Sequence, residues 1–176
     1  MIWFSADSHY FHKAIIGYCQ RNYASVEEMN EGLINNWNSV VASNDTVYHI
    51  GDFGFGKLDK LIPIFKRLNG QKILIRGNHD KDSTKLPWAF IKDGYELRYK
   101  DKVFILHHFP YLSWDKQFYG SINIHGHVHG KQLQSDLSVL RFDVGVDANN
   151  YTPVSIDIIV DIVNSQKKAT LSNAEM

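Results

Sequence analysis

The chain has 176 residues, of which 44% are hydrophobic and 13% aromatic, enough to build the core of a single domain. Lys and Arg together number 19, as do Asp and Glu, so the formal net charge is zero. This balance argues against a protein that coats nucleic acid or anionic membranes, although a local basic patch is compatible with it. Cys19 is the only cysteine, which excludes an intramolecular disulfide and favours a reducing compartment.

The sequence predicts neither a membrane span nor a signal peptide. No apolar run reaches the roughly 18 residues that a span requires. The N-terminal run reaches the charged Asp7 without a preceding basic segment. We therefore expect a cytoplasmic protein with one domain over residues 1–164, followed by a polar, frayed tail over 165–176.

Short apolar runs alternate with amphipathic segments in the first half of the chain. Ser25 and Glu28 form a capping box at the start of a predicted helix that ends near residue 42. A second helix is predicted from residue 58 and ends at Asn69-Gly70. Strands are predicted at 2–6, 46–50 and 72–76.

The second half begins with a loop over 81–94 that contains a short helix. The alternating segment 95–99 is predicted to pair with 102–106 across a Lys100-Asp101 turn. Further strands are predicted from Ile122 and over 140–144. A last helix is predicted to begin at Pro153 and to end near Asn164.

Five of the predicted strands end in residue types that bind metals. These ends are Asp7 with His9, Asp52, Asn78 with His79, His107 with His108, and the cluster His125, His127 and His129. In an open α/β sheet, ligands bind outside the carboxyl ends of the strands, so these side chains can converge on one site. If each polar residue merely began a loop, Ser, Thr, Lys and Glu would be as common there as His and Asp.

The chemistry of this set favours transition metals. Carboxylates, an amide oxygen and several imidazoles suit Mn²⁺, Fe or Zn²⁺, whereas Ca²⁺ and Mg²⁺ prefer oxygen ligands alone. A structural zinc site needs only four ligands, often cysteines, whereas seven candidates fit two metals. Two metals about 4 Å apart can share a bridging carboxylate and a bridging hydroxide that attacks a phosphate in line. A histidine held off the metals can protonate the leaving oxygen.

The same motifs, in the same order, resemble those of the calcineurin-like metallophosphoesterases. The matching stretches are Asp7-Ser8-His9, Gly51-Asp52, Gly77-Asn78-His79-Asp80, His108 before Phe109-Pro110, and Gly126-His127-Val128-His129. The resemblance runs from residue 7 to residue 129. It implies an α/β fold, a four-layer αββα sandwich of mixed β-sheets, with a dinuclear metal site at the carboxyl-terminal edge of the strands.

The resemblance also implies a role for each motif residue. Two divalent transition metals are expected, with Mn²⁺ favoured over Fe, Zn, Ni or Co. The first metal would be held by Asp7, His9 and His129. The second would be held by Asn78, His108 and His127, with Asp52 bridging the two. His79 and Asp80 are the candidate catalytic residues: His79 would contact the phosphate and protonate the leaving group, and Asp80 would orient the site.

The remaining histidines near these motifs have weaker assignments. Strand alternation would turn His107 away from the site, and we expect His125 and His49 to lie behind the ligands or in the core. His12 and Arg21 follow the first motif and are candidates for contact with a substrate phosphate. An ordinary surface position is an equally good interpretation of both.

One departure from the motifs of this superfamily argues against a protein phosphatase. In protein Ser/Thr phosphatases of this superfamily the Gly-Asp motif continues with Asp-Arg-Gly, but here Asp52 is followed by Phe53-Gly54. The chain is also short, and it looks closer to small bacterial or phage phosphoesterases that are often active on phosphodiesters. We therefore predict a phosphodiesterase that acts on a small phosphate ester or a nucleotide.

Two alternatives stay open, and the sequence does not specify the oligomeric state. A nuclease could use the same site, although the neutral charge argues mildly against duplex binding. A non-catalytic binding scaffold on the same fold would be expected to have lost His79 or several ligands, and all of them are present.

Overall fold

The computed structural model describes residues 1–131 and 140–174, which form two mixed β-sheets and four α-helices. The strands of the first sheet are β1 (Ile2–Ser5), β2 (Thr46–His49), β3 (Gln71–Ile75), β4 (Ile91–Lys92) and β9 (Val154–Ser155). Their order is β4-β3-β2-β1-β9, and only β9 runs antiparallel to its neighbour.

The second sheet has four strands in the order β5-β6-β7-β8. They are β5 (Gly94–Tyr99), β6 (Lys102–His107), β7 (Ile122–His125) and β8 (Arg141–Asp143). β5 and β6 form an antiparallel hairpin, whereas β6, β7 and β8 are parallel. Both sheets therefore contain a parallel core whose strands end on the same side.

The helices are α1 (Lys13–Tyr18), α2 (Val26–Val40), α3 (Leu58–Arg67) and α4 (Ile156–Ala174). Short 3₁₀ turns occur at Ser83–Lys85, Gln117–Tyr119 and Val146–Ala148. Within the described part of the chain, none of the helices combines the length and the apolar character needed to cross a bilayer. The predicted α/β architecture with mixed sheets is confirmed.

Two apolar cores follow from the alternation of side chains along the strands. Phe4 and Tyr48 on the first sheet pack with Phe104 and Ile124 on the second, and this inner core also receives one face of α4. On the opposite face of the first sheet, residues such as Val47 pack against α1, α2 and α3. The inner core fixes the two sheets face to face, which brings their strand ends to one edge.

The capping box at α2 is confirmed, with one difference in detail. Ser25 Oγ accepts a hydrogen bond from the Glu28 amide at 3.1 Å, as predicted. Glu28 Oε2 accepts from the amide of Ala24, at 2.7 Å, one residue before the cap. The predicted starts of β2 and α3 also agree with the structure.

The C-terminal prediction is wrong at both ends of the last helix. Val154 and Ser155 pair with β1 as an antiparallel strand, so α4 begins at Ile156, with Ser155 Oγ accepting from the Ile158 amide at 3.2 Å. The helix then continues to Ala174, beyond the predicted end near Asn164. No Pro or Gly follows Ile156, so nothing in the sequence breaks the backbone ladder. Residues 175–176 of the predicted tail lie outside the described residues.

Candidate metal and catalytic site

Strand ends from both sheets meet at one edge and are joined by backbone hydrogen bonds. The Asp7 amide donates to the carbonyl of Gly51 at 2.9 Å, and the Gly126 amide donates to the carbonyl of His108 at 3.0 Å. The His127 amide donates to Asp7 Oδ2 at 2.8 Å, which connects the first sheet to the second. The convergence of motifs far apart in sequence is therefore observed in the fold.

The predicted ligand side chains form a continuous series across this edge. His9 Nε2 lies 4.0 Å from Asp7 Oδ1 and 3.8 Å from Asp52 Oδ2. On the other side of Asp52, the same carboxylate oxygen lies 3.6 Å from His108 Nε2. His108 Nε2 in turn lies 3.0 Å from Asn78 Oδ1. Asp52 thus occupies the middle of the series, the place that a bridging ligand requires.

The two remaining ligand candidates lie at the ends of this series. The His129 ring is stacked on His9, with centroids 5.1 Å apart, and the ring of His127 lies 5.2 Å from that of His108. Among the described residues, two of the three groups whose ligand atoms lie within 4.8 Å of one another contain Asp7: one is Asp7, His9 and His129, and the other is Asp7, Asp52 and His108. The structure therefore brings together all seven predicted ligand residues.

Five of these seven residues have a left-handed backbone. The φ angles are 56° at Asp7, 52° at His9, 59° at Asp52, 72° at His127 and 52° at His129. Such a conformation is unfavourable for residues other than glycine by about 1–2 kcal/mol each. Clustered strain of this kind is typical of sites where side-chain placement matters more than stability.

Two glycines let the carboxylates lie against the backbone. A Cβ at Gly126 would collide with Asp7 Oδ2, and a Cβ at Gly77 would collide with Asp52 Oδ1. The motifs Gly-His-Val-His and Gly-Asn-His-Asp therefore need their glycines for close approach. The carboxylate of Asp52 also accepts from the His79 amide at 2.9 Å, which fixes its orientation.

Several buried polar atoms of the site lack a hydrogen-bond partner in the described structure. Asp7 Oδ1 and both ring nitrogens of His9 are the examples at its centre. Burial raises the pKa of Asp7 to about 7 and lowers the pKa of His9 to about 2. Buried polar atoms without partners are unfavourable, and a metal cation would satisfy them. The donor set of carboxylate, imidazole and amide oxygen fits divalent transition metals.

The acid–base balance around Asp52 favours an ionised carboxylate. Burial opposes ionisation, but the neighbouring His108 and the His79 amide together hold the pKa of Asp52 well below its usual range. Burial likewise lowers the pKa of His108, yet the adjacent carboxylates outweigh it and raise that pKa to about 8. Asp52 is therefore available as an anionic ligand over the whole physiological pH range.

His79 is exposed to solvent, as is the neighbouring ligand candidate Asn78, whereas the other six ligand candidates are buried or partly buried. Its ring centroid lies 6.0 Å from that of His9 and 4.8 Å from that of Phe55. His79 does not belong to either ligand group that contains Asp7 in the described structure. This position, beside the ligands and open to solvent, suits a group that meets the substrate.

The side chain of Asp80 is fully buried behind the motif loops. Its carboxylate accepts hydrogen bonds from the amides of Asp52 at 2.7 Å, Phe53 at 2.9 Å and Gly77 at 2.8 Å. These contacts agree with the predicted orienting role, and only the assignment of Asp80 as a catalytic residue is corrected. Asp80 positions the backbone of two motif loops and cannot reach a substrate.

Neither interpretation of Arg21, contact with a substrate phosphate or an ordinary surface position, agrees with the structure. The Arg21 side chain is completely buried, and its guanidinium donates to both carboxylate oxygens of Asp147 at 2.8 Å. It also donates to the carbonyls of Asp7 at 2.7 Å and Ser8 at 2.9 Å. Arg21 is thus an internal brace of the first motif and has no free face for a ligand.

Asp147 is a functional residue that the sequence analysis missed. Besides Arg21, its carboxylate contacts His129 Nδ1 at 2.7 Å. Such a contact fixes the ring of a ligand histidine and leaves Nε2 to face a metal. The available signal was Gly145-Val146-Asp147, which follows β8 in the same way that the recognised motifs follow their strands.

The other histidines lie as follows. His49 and His125 are fully buried, as predicted, and His49 Nε2 lies 2.9 Å from Ser8 Oγ. His107 turns away from the site and stacks on Tyr111 at 4.4 Å, which confirms the expectation from strand alternation. His12 lies beside the site, with its ring centroid 5.5 Å from that of His9.

Comparison with known proteins gives several matches that span most of the chain. A family model described as calcineurin-like phosphoesterase matches residues 1–165. An uncharacterized protein of Methanocaldococcus jannaschii is 38% identical over 172 residues, covering 94% of this chain and 93% of that protein. The gene 66 protein of Mycobacterium phage L5 is 33% identical over 196 aligned positions, covering 92% of this chain and 93% of that protein.

A solved structure gives a similar result. A protein of unknown function from Aquifex aeolicus superposes with a TM-score of 0.76 at 28% sequence identity. The match covers 92% of this chain and 98% of the other. The arrangement of two mixed sheets and their helices is thus shared along almost the whole length of both chains.

Proposed function

Since the chain belongs to the calcineurin-like phosphoesterase family, we propose that it is a phosphodiesterase with two divalent metals, Mn²⁺ being favoured. The observation that carries this proposal is the series of ligand atoms centred on Asp52, with Asp7 Oδ1 and the His9 ring buried and lacking partners. A single cation would engage only one end of that series. Two cations that share Asp52 would engage it all.

The ligands divide between two cations as the family resemblance implies. Asp7, His9 and His129 would hold the first cation at one end of the series. Asn78, His108 and His127 would hold the second at the other end. When bound, the pair would supply Lewis-acid activation of water and of the phosphate.

The chain's own residues would then orient the ester and supply a proton. His79 is open to solvent at the side of the site lined by Phe55, where it can donate a proton to the departing oxygen. The Asp52–His79 backbone contact ties the position of this acid to the bridging carboxylate. A substrate would therefore be aligned between the ligand series and His79.

Two features support a diester rather than a monoester dianion. Arg21 is fully engaged with Asp147 and two carbonyls, and so it offers no cation to a second phosphate charge. Phe53, which stands where protein phosphatases of this superfamily continue their motif with a polar residue, is buried against Tyr10 and Trp88. A phosphodiester carries one negative charge and needs less compensation.

The test is metal removal followed by restoration. Protein stripped with a chelator should not hydrolyse bis(p-nitrophenyl) phosphate, and added Mn²⁺ should restore the activity. Absence of activity with every one of Mn²⁺, Co²⁺, Ni²⁺, Fe²⁺ and Zn²⁺ would refute the proposal. His79→Ala should retain the metal content of the natural protein and lose roughly 10²–10⁴-fold in rate, the usual contribution of a general acid. Loss of metal from this variant would show that His79 is a ligand.

A further inference from the structure

A cavity of about 400 Å³ opens beside the candidate site. Its lining consists of Phe11, Phe55, Gly56, Lys57, Asp59 and Lys60. The volume lies within the range of pockets that bind small molecules. The lining thus includes two aromatic rings, two lysine ammonium groups and one carboxylate, so the cavity has aromatic walls and a net positive charge.

Phe55 connects this cavity to the reacting side of the site. Its ring stacks on His12 with centroids 4.0 Å apart and an interplanar angle of 24°. The same ring lies 4.8 Å from that of His79, and 43% of the Phe55 residue surface is exposed. Because His79 would protonate the leaving oxygen, the group that departs lies on the Phe55 side.

The wall of the cavity depends on a glycine and on a local cation–π contact. A Cβ at Gly56 would lie 2.9 Å from Phe11 Cδ2 and 3.3 Å from Lys60 Cβ, so a larger residue would push this wall apart. Lys60 Nζ lies 5.9 Å from the centre of the Phe11 ring. The aromatic and cationic elements of the cavity are therefore held side by side.

From this arrangement we propose that the cavity binds a nucleotide as the leaving group of the reaction. Its base would stack on Phe11 and Phe55, and its own phosphate would pair with Lys57 and Lys60. This inference rests on the proposed phosphodiesterase function. In the reaction, an oxygen of water forms a new bond to the scissile phosphorus and the bond to the nucleotide oxygen breaks. That oxygen takes a proton from His79.

Binding can be tested without catalysis. The probes are adenosine 5′-monophosphate, adenosine and ribose 5-phosphate, titrated calorimetrically into the full chain in the presence of a chelator, so that metals do not hold the phosphate. The monophosphate should bind at least tenfold more tightly than either fragment. Phe55→Ala should weaken binding of both adenosine compounds about tenfold. The pair Lys57→Gln with Lys60→Gln should weaken binding of the two phosphate-bearing probes by a similar factor and leave that of adenosine unchanged.

Lys66→Gln is the matched control, since Lys66 is an exposed lysine of the same helix that does not line the cavity. It should leave all three affinities unchanged. Equal affinity for the monophosphate and ribose 5-phosphate would overturn the inference, as would unchanged binding by the double lysine variant. Hydrolysis of bis(p-nitrophenyl) phosphate with Mn²⁺ tests the proposed function separately. A protein that hydrolyses this diester but does not bind the nucleotide would refute only the nucleotide site. A protein that binds the nucleotide but hydrolyses no diester would refute the enzyme and the leaving-group role, and would leave only the binding site.

Discussion

Asp80→Asn should destabilise the protein although it preserves the shape of the side chain. The buried carboxylate accepts from three backbone amides, two of them on Oδ2 and one on Oδ1. An asparagine has only one acceptor atom, so one amide would face an NH₂ group instead. Asp52 and Gly77, whose loops depend on these bonds, would both lose part of their support.

The magnitude follows from the individual bonds. A buried amide left unsatisfied costs about 1–3 kcal/mol, and two bonds reduced from charged to neutral acceptors lose about 1 kcal/mol each. Burial raises the pKa of Asp80 despite the three amides that lower it, so removing the buried charge returns part of this loss. We therefore expect a net decrease of about 2–4 kcal/mol in the free energy of unfolding.

Urea denaturation of the metal-stripped protein at pH 7 measures this change. Asp82→Asn is the matched control, because Asp82 lies two residues away and its one ion pair within the described part of the chain is with the exposed Lys85, at 2.6 Å. Such surface pairs contribute at most about 1 kcal/mol. A loss no larger in Asp80→Asn than in Asp82→Asn would show that the buried carboxylate does not hold the two loops.

Three further predictions concern individual contacts of the site. His108→Ala should lose one bound metal per chain and at least about a hundredfold in diester hydrolysis, while the adjacent His107→Ala should keep both, as metal analysis and rates would show. When the pH is lowered from 7 to 5, the free energy of unfolding of the metal-stripped natural protein should fall by about 2 kcal/mol more than that of His49→Gln, as urea denaturation would measure. The sign follows because burial lowers the pKa of His49 to about 3, so below its ordinary value of 6.5 the unfolded chain binds a proton that the folded chain does not. Asp147→Asn should lower the free energy of unfolding by about 3–5 kcal/mol by leaving the Arg21 guanidinium buried without its partner, and Arg21→Met in the same chain should recover part of it. Equal stability of the single and double variants would contradict this last reasoning.

The ligand residues could be predicted because each one follows a strand. Parallel strands that end on one side bring their terminal residues together, whatever their separation in sequence. Asp7 and His127 are 120 residues apart, yet the amide of one bonds to the carboxylate of the other. Residue type and position at a strand end were sufficient to predict that these side chains converge. The choice of seven candidate ligands, which leaves out His79, His107 and His125, depended on the family resemblance.

The role of Arg21 could not be predicted in the same way. Arg21 follows the first motif, which suggested contact with substrate, but burial and partners decide what a polar side chain does. Arg21 is satisfied by Asp147, which is 126 residues further along the chain. The short helix α1 was also not predicted, because its six residues are too few to show a helical period.

The backbone strain of the site has a direct bearing on how it binds metal. Asp7 and Asp52 have φ angles of 56° and 59°, a conformation that residues other than glycine adopt only when the surrounding structure holds them there. The hydrogen bonds of the backbone and of buried Asp80, together with the close approach of Gly77 and Gly126, supply the compensating stabilisation. A site whose ligands are already in place loses little conformational freedom when metal binds. The folded chain therefore contributes preorganisation to the site, and a bound metal would contribute the positive charge that would satisfy its buried, unpartnered atoms.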